Sequence, residues 1–134
     1  MNKVKIYLAG TIYNDPEDIS WKSRFIAQLP VNVFKIYDPN PKLGAGYDVI
    51  PRDKRVIEDS DFLIAYIRKP TFGTTMEIKH AFDCRNITTF VIDPLGINIS
   101  SIWLDYHIHK SFRTVDECAK ELINTIKKMK IIEP

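Results

Sequence analysis

Residues 61–82, DFLIAYIRKPTFGTTMEIKHAF, decide the fold. Phe62-Leu63-Ile64-Ala65-Tyr66-Ile67 is an unbroken apolar run, the pattern of a strand covered on both faces. Arg68-Lys69-Pro70-Thr71-Phe72-Gly73 breaks it as a turn. A helix is then expected from Thr74-Thr75-Met76-Glu77, with Met76, Ile78, Ala81 and Phe82 sharing a broad inward face. A loop at the carboxyl end of a parallel strand, leading into a helix, is where open α/β sheets place their ligands. Glu77 sits there beside hydroxyls and backbone N–H groups.

Glu77 has two readings. In the plain one, Thr74-x-x-Glu77 is a capping box: Thr74 accepts from the N–H of Glu77, and Glu77 reaches back to the N–H of Thr74. In the other, its carboxylate acts in a site. Thr114-Val115-Asp116-Glu117 carries the same local pattern where no site is suspected, and so serves as a control.

Working outward, Val4–Ala9 reads as a first strand, and Gly10-Thr11-Ile12-Tyr13-Asn14-Asp15-Pro16 as the loop at its carboxyl end. Gly10 suits close backbone approach to a ligand. No GxGxxG or P-loop lysine motif is present. A helix with Pro16 in its first turn runs to about Gln28, with Ile19, Phe25, Ile26 and Leu29 as core candidates and Trp21 as core or pocket lining. Val31–Tyr37 is a second strand. Residues 39–51 form an irregular, Gly-containing loop of the kind that often serves as a lid or binding element. Residues 52–60 form a helix with Val56 and Ile57 inward, and the run Arg52-Asp53-Lys54-Arg55 reads as a solvated face. Thr88–Ile92 is a fourth strand, and Asn98-Ile99-Ser100-Ser101 a possible cap for a short helix. Tyr106–Phe112 is a short fifth strand, and a last helix runs from Thr114 to about Lys130. Alternating strands and helices imply one doubly wound, flavodoxin-like (Rossmann-like) α/β domain over residues 1–134, a five-stranded parallel sheet in the order 2-1-3-4-5 with helices on both faces. That order sets the loops after strands 1 and 3 across one crevice, with Tyr7, Gly10, Thr11, Asp61, Thr71 and Glu77 in or near it.

The chain has 134 residues, 45% hydrophobic and 27% charged, with a net charge of +2. That suits one globular domain and gives no case for a nucleic acid polymer or a membrane as partner. The start of the chain does not read as a signal peptide, and a cytoplasmic location is expected. Cys84 and Cys118 lack metal-ligand spacing and read as buried small hydrophobes, so no metal site is expected.

Three pieces taken together resemble the nucleoside 2-deoxyribosyltransferase superfamily: Lys5-Ile6-Tyr7-Leu8-Ala9-Gly10, Ile57-Glu58-Asp59-Ser60-Asp61-Phe62-Leu63-Ile64-Ala65, and Gly73-Thr74-Thr75-Met76-Glu77-Ile78 with Ala81. The resemblance covers most of the chain in order and implies the same fold. It implies that Glu77 is a nucleophile, attacking the anomeric carbon of a (deoxy)nucleoside to give a glycosyl ester that a second nucleobase or water resolves. It implies roles for Asp61 in proton handling or positioning and for Tyr7 in orienting the carboxylate. Gly10, Thr11, Tyr13, Trp21, Thr71, Gly73 and Met76 would contact substrate. No cofactor is implied, and a homodimer or higher homo-oligomer is expected, with Tyr106, His107, His109 or the Asn98 loop available to close a neighbour's pocket.

One departure matters. Several transferases of this family carry an acidic residue in the turn, suited to a free 5′-hydroxyl, whereas here it reads Lys69-Pro70-Thr71-Phe72-Gly73. Related nucleotide N-hydrolases have a Pro-Ser-x-Gly turn instead, and a neutral hydroxyl at a helix start can hold a phosphate. Arg68, Lys69, Arg24 and Thr11 could add charge or donors. Transfer of a sugar between nucleobases is thus one reading, and hydrolysis of nucleoside 5′-monophosphates to free base and sugar phosphate the other. A non-catalytic nucleotide-binding module on the same fold is a third.

Overall fold

A computed structural model describes residues 2–10, 16–39, 46–69, 71–97 and 100–129. Ten elements alternate along the chain: β1 (Val4–Gly10), α1 (Pro16–Ile26), β2 (Phe34–Tyr37), α2 (Val49–Glu58), β3 (Phe62–Tyr66), α3 (Phe72–Asp83), β4 (Thr88–Ile92), α4 (Ile102–Tyr106), β5 (Lys110–Phe112) and α5 (Val115–Lys128). The five strands form one parallel sheet in the order β2-β1-β3-β4-β5, the expected order.

Alternation along each strand divides the core into two layers. Val4, Ile6 and Leu8 of β1, with Phe62 and Ile64 of β3 and Phe90 and Ile92 of β4, pack against Trp21 and Phe25 of α1 and the Val115, Cys118, Leu122 and Ile126 stripe of α5. Tyr7 and Ala9, with Leu63, Ala65 and Val91, pack on the other face against Ile57 of α2 and Ile78 and Ala81 of α3. Burial on both faces explains why β3 shows no polar alternation: all five of its residues are buried.

Several boundaries and faces differ from expectation. In α1 the buried pair is Trp21 and Phe25, one turn apart, while Ile19 and Ile26 are exposed and Leu29 packs at the margin. Strand β2 starts at Phe34, and Val31 is exposed. Helix α2 starts at Val49, inside the stretch read as loop, and α4 takes Tyr106 out of the fifth strand. Ser101 caps α4, its hydroxyl accepting from the N–H of Leu104. The expected residues Asn98 and Ile99 lie outside the described set.

Candidate active site

Helix α3 begins at Phe72, nearly a full turn earlier than the capping-box reading requires. Thr71 is its N-cap, and Thr74 is buried within the first turns. The box around Glu77 is therefore not formed. In the control position its first half is: the Thr114 hydroxyl accepts from the N–H of Glu117 at 3.1 Å, and itself donates to the Glu117 carboxylate at 2.9 Å. The difference lies in what Glu77 has to bond. Thr74, Ile78 and Ala81 form the hidden stripe of α3, and Glu77, three residues after Thr74 and four before Ala81, lies on that side. Its carboxylate meets the phenol of Tyr7, which donates to Glu77 Oε2.

Tyr7 lies in the middle of β1, fully buried, in register with Tyr37 on β2. The two rings stack with centroids 5.5 Å apart and planes at 22°. The Tyr37 hydroxyl donates to Asp53 Oδ1 at 3.1 Å. Two carboxylates thus hang on two stacked phenols of adjacent strands. The Asp53 side chain is only 16% exposed. The run Arg52–Arg55 is therefore not wholly a solvated face. Asp53 shares a helical face with Val56 and Ile57, and that spacing was the available signal.

Burial pushes the Glu77 carboxyl up to about 7, and the negative charge of Asp53 adds to this. The Tyr7 hydrogen bond and the charge of Lys22 pull it the other way. Burial, then the charge of Glu77, raise the Tyr7 phenol far above its ordinary value, so it is a permanent donor here. Lys22 itself pairs with Asp38, just past the end of β2.

The remaining expected site residues divide. Gly10 ends β1, and a Cβ there would lie 2.9 Å from Trp21 Nε1, so this glycine admits the indole. For Trp21 the core alternative holds: it is fully buried and stacked on Tyr66 at 5.3 Å. Asp61 is a correction. It precedes β3, at the end of the strand opposite to α3, and is exposed. Its carboxylate accepts from the N–H of Lys5 at 2.8 Å, so it caps the sheet's amino-terminal edge. Met76 faces away from the expected inward stripe and is 71% exposed. Thr11 and Tyr13 lie outside the described residues.

The amino end of α3 carries polar groups without a partner among the described residues. Thr71 makes no side-chain cap bond, and its buried Oγ1 has no hydrogen-bond partner among the described residues. Gly73 stands in the first turn with nothing within 4 Å of a notional Cβ. Unsatisfied first-turn N–H groups beside a free hydroxyl suit an anion. Tyr106 and His107 cluster on Phe82, at the far end of α3 from this opening, with centroids 5.4 and 4.8 Å from its ring. Among the described residues no three His, Cys, Asp or Glu side chains are grouped to hold a metal, and no helix is long and apolar enough to cross a membrane.

No family model matches the sequence, and no curated protein matches it. Solved structures do match in fold. A 2-deoxyribosyltransferase from Leishmania mexicana superposes with a TM-score of 0.55 at 20% identity, over 73% of this chain and 72% of that one. The CMP N-glycosidase BcmB from Clostridium botulinum gives 0.61 at 15% identity, over 90% and 98%. A protein from Burkholderia pseudomallei described as related to pilus assembly gives 0.57 at 9% identity, over 90% and 87%. The chain shares the fold of all three.

Proposed function

We propose that this protein is an enzyme of the nucleoside 2-deoxyribosyltransferase superfamily that cleaves the N-glycosidic bond of a (deoxy)nucleoside through a glycosyl ester on Glu77, and transfers the sugar to another nucleobase. The observation that carries this reading is the Tyr7–Glu77 pair: a carboxylate in the second turn of the helix after β3, largely desolvated and gripped by a phenol from β1. A desolvated carboxylate is suited to stabilising and then capturing an oxocarbenium-like centre. Tyr7 holds one oxygen, which leaves Oε1 to attack. Asp53, the second carboxyl, is the group suited to protonating the departing base. Two proteins of matching fold are a 2-deoxyribosyltransferase and a CMP N-glycosidase, in keeping with this class of reaction.

The second reading, hydrolysis of a nucleoside 5′-monophosphate, has its own support in the Thr71 hydroxyl and the uncapped start of α3. A phosphate there would take both the hydroxyl and the free N–H groups. The two readings share the first chemical step and differ in what resolves the ester.

Product analysis separates them. Deoxynucleosides and deoxynucleoside 5′-monophosphates are incubated with and without a second free base, beside a Glu77→Ala control. New nucleoside formed only with acceptor base is the result expected for transfer. Free base and sugar phosphate regardless of acceptor would establish the hydrolase. Activity surviving in Glu77→Ala would overturn both.

A further inference from the structure

Among the described residues, both side-chain hydrogen bonds to Asp53 end on the same oxygen. The Tyr37 hydroxyl donates to Oδ1 at 3.1 Å, and Arg52 Nε donates to the same Oδ1 at 3.3 Å. Arg52 and Asp53 are neighbours on α2, where adjacent side chains diverge, so the guanidinium bends back to make this contact. Tyr37 is fixed in turn by its register with Tyr7 and by the stack between the two rings.

We propose that Tyr37, aided by Arg52, is a positioning residue that holds Asp53 by Oδ1 and so makes Oδ2 the single atom exchanging a proton with the nucleobase. This rests on the reading of Glu77 as nucleophile and Asp53 as its acid partner. A carboxyl oxygen that accepts two donors has both lone pairs engaged, so the proton of the acid form sits on the other oxygen. Without the phenol the carboxyl turns about its last bond and presents either oxygen. Holding it removes that freedom before the reaction begins.

The reactive form has Glu77 ionised and one proton on Asp53 Oδ2, and that proton is accounted for in both steps. As Glu77 Oε1 bonds to C1′, the C1′–N bond breaks, its electron pair goes to the base, and the base takes the proton from Asp53 Oδ2. In the return step water or an acceptor base attacks C1′. The ester's electron pair returns to Glu77, and the proton released by the attacking group goes to Oδ2.

Tyr37→Phe tests this because it removes the hydroxyl and keeps the ring on Tyr7. The substrate is whichever of deoxyadenosine, deoxycytidine and their 5′-monophosphates the parent turns over fastest. Tyr37→Phe is expected to lower kcat roughly 10- to 100-fold with KM within about threefold, the size of effect seen when general acid catalysis is impaired. In an Asp53→Asn background the same change is expected to alter kcat by less than about twofold, because the two residues act as one unit. Parental kcat in Tyr37→Phe, or losses that multiply in the double variant, would overturn the assignment. Glu77→Ala is run alongside: if it stays active the nucleophile reading fails, whatever Tyr37 does. A crystal structure of Tyr37→Phe gives a readout independent of turnover. The Asp53 carboxyl is expected turned or split over two orientations, and one orientation identical to the parent would also overturn the proposal.

Discussion

The Tyr7 phenol donates to the Glu77 carboxylate across 70 residues of sequence, tying the centre of β1 to the first turns of α3. The bond joins two groups on the same face of the sheet, one from each side of the crevice between β1 and β3. It is made at the margin of a core layer, where an unpaired carboxylate would be costly.

Turnover should depend on this pair through pH. As the proposed nucleophile Glu77 must be ionised to attack, and its carboxyl is pushed up to about 7, first by burial. We expect kcat/KM to rise with pH through about 7, falling about tenfold per pH unit on the acid side, as for an essential base in the free enzyme. Tyr7→Phe removes the one hydrogen bond that lowers this value, so its acid limb should move to higher pH. A profile flat between pH 5 and 8 in the parent would contradict the assignment.

The same shift has a consequence for stability. The folded carboxyl is raised from 4.5 to about 7, so between those values the folded state keeps a proton that the unfolded state releases. Stability from this group is therefore greatest below pH 4.5, declines as pH rises toward 7, and stays low above it. Glu77→Gln should be more stable than the parent at pH 8, by about 1–3 kcal/mol, with the gap closing toward pH 5. Urea denaturation at the two pH values measures the difference. An equal or negative gap at pH 8 would show that burial is not costing the carboxylate.

Gly10→Ala tests the packing beneath the first loop. The new Cβ would sit 2.9 Å from Trp21 Nε1 and 3.0 Å from Cζ2. Trp21 is fully buried between Phe25 and Tyr66, so the ring has nowhere to yield. Overpacking of this kind costs about 1–3 kcal/mol. Unchanged stability would mean that the indole is not confined there.

How much of this could be read from the sequence varies with the kind of signal. The apolar run Phe62–Ile67 and the alternation of elements sufficed for the sheet order, because burial on both faces of a parallel strand leaves a continuous pattern. Helix faces were harder. Ile19, Ile26 and Met76 are apolar yet exposed, and periodicity could not tell which apolar stripe meets the sheet. Glu77 was visible as a candidate, but the Thr74 box competed with it, and local sequence gives no sign of the tertiary contact with Tyr7 that Glu77 makes in place of the box. Asp53 was hidden by its charged neighbours, although its spacing to Ile57 places it inward. Asp61 drew attention by preceding the central strand, which is the wrong end: ligand loops follow strands, and its carboxylate serves the Lys5 N–H.

Thr71→Asp distinguishes a phosphate from a free 5′-hydroxyl at the start of α3. A carboxylate at the N-cap would satisfy the open N–H groups itself and repel a phosphate. If 5′-monophosphates are the substrates, kcat/KM for them should fall by about 10²-fold or more, with nucleosides affected less. Equal effects on both would make Thr71 a turn residue only.

The central claim is that Glu77 carries the sugar. It is tested most directly by quenching the enzyme during turnover of a 2′-fluoro-substituted nucleoside or 5′-monophosphate, whose ester resolves slowly, and mapping the adduct by peptide mass spectrometry. The account predicts one glycosyl adduct, on Glu77, absent in Glu77→Ala. An adduct on another side chain, or turnover with no adduct and an active Glu77→Ala variant, would contradict it.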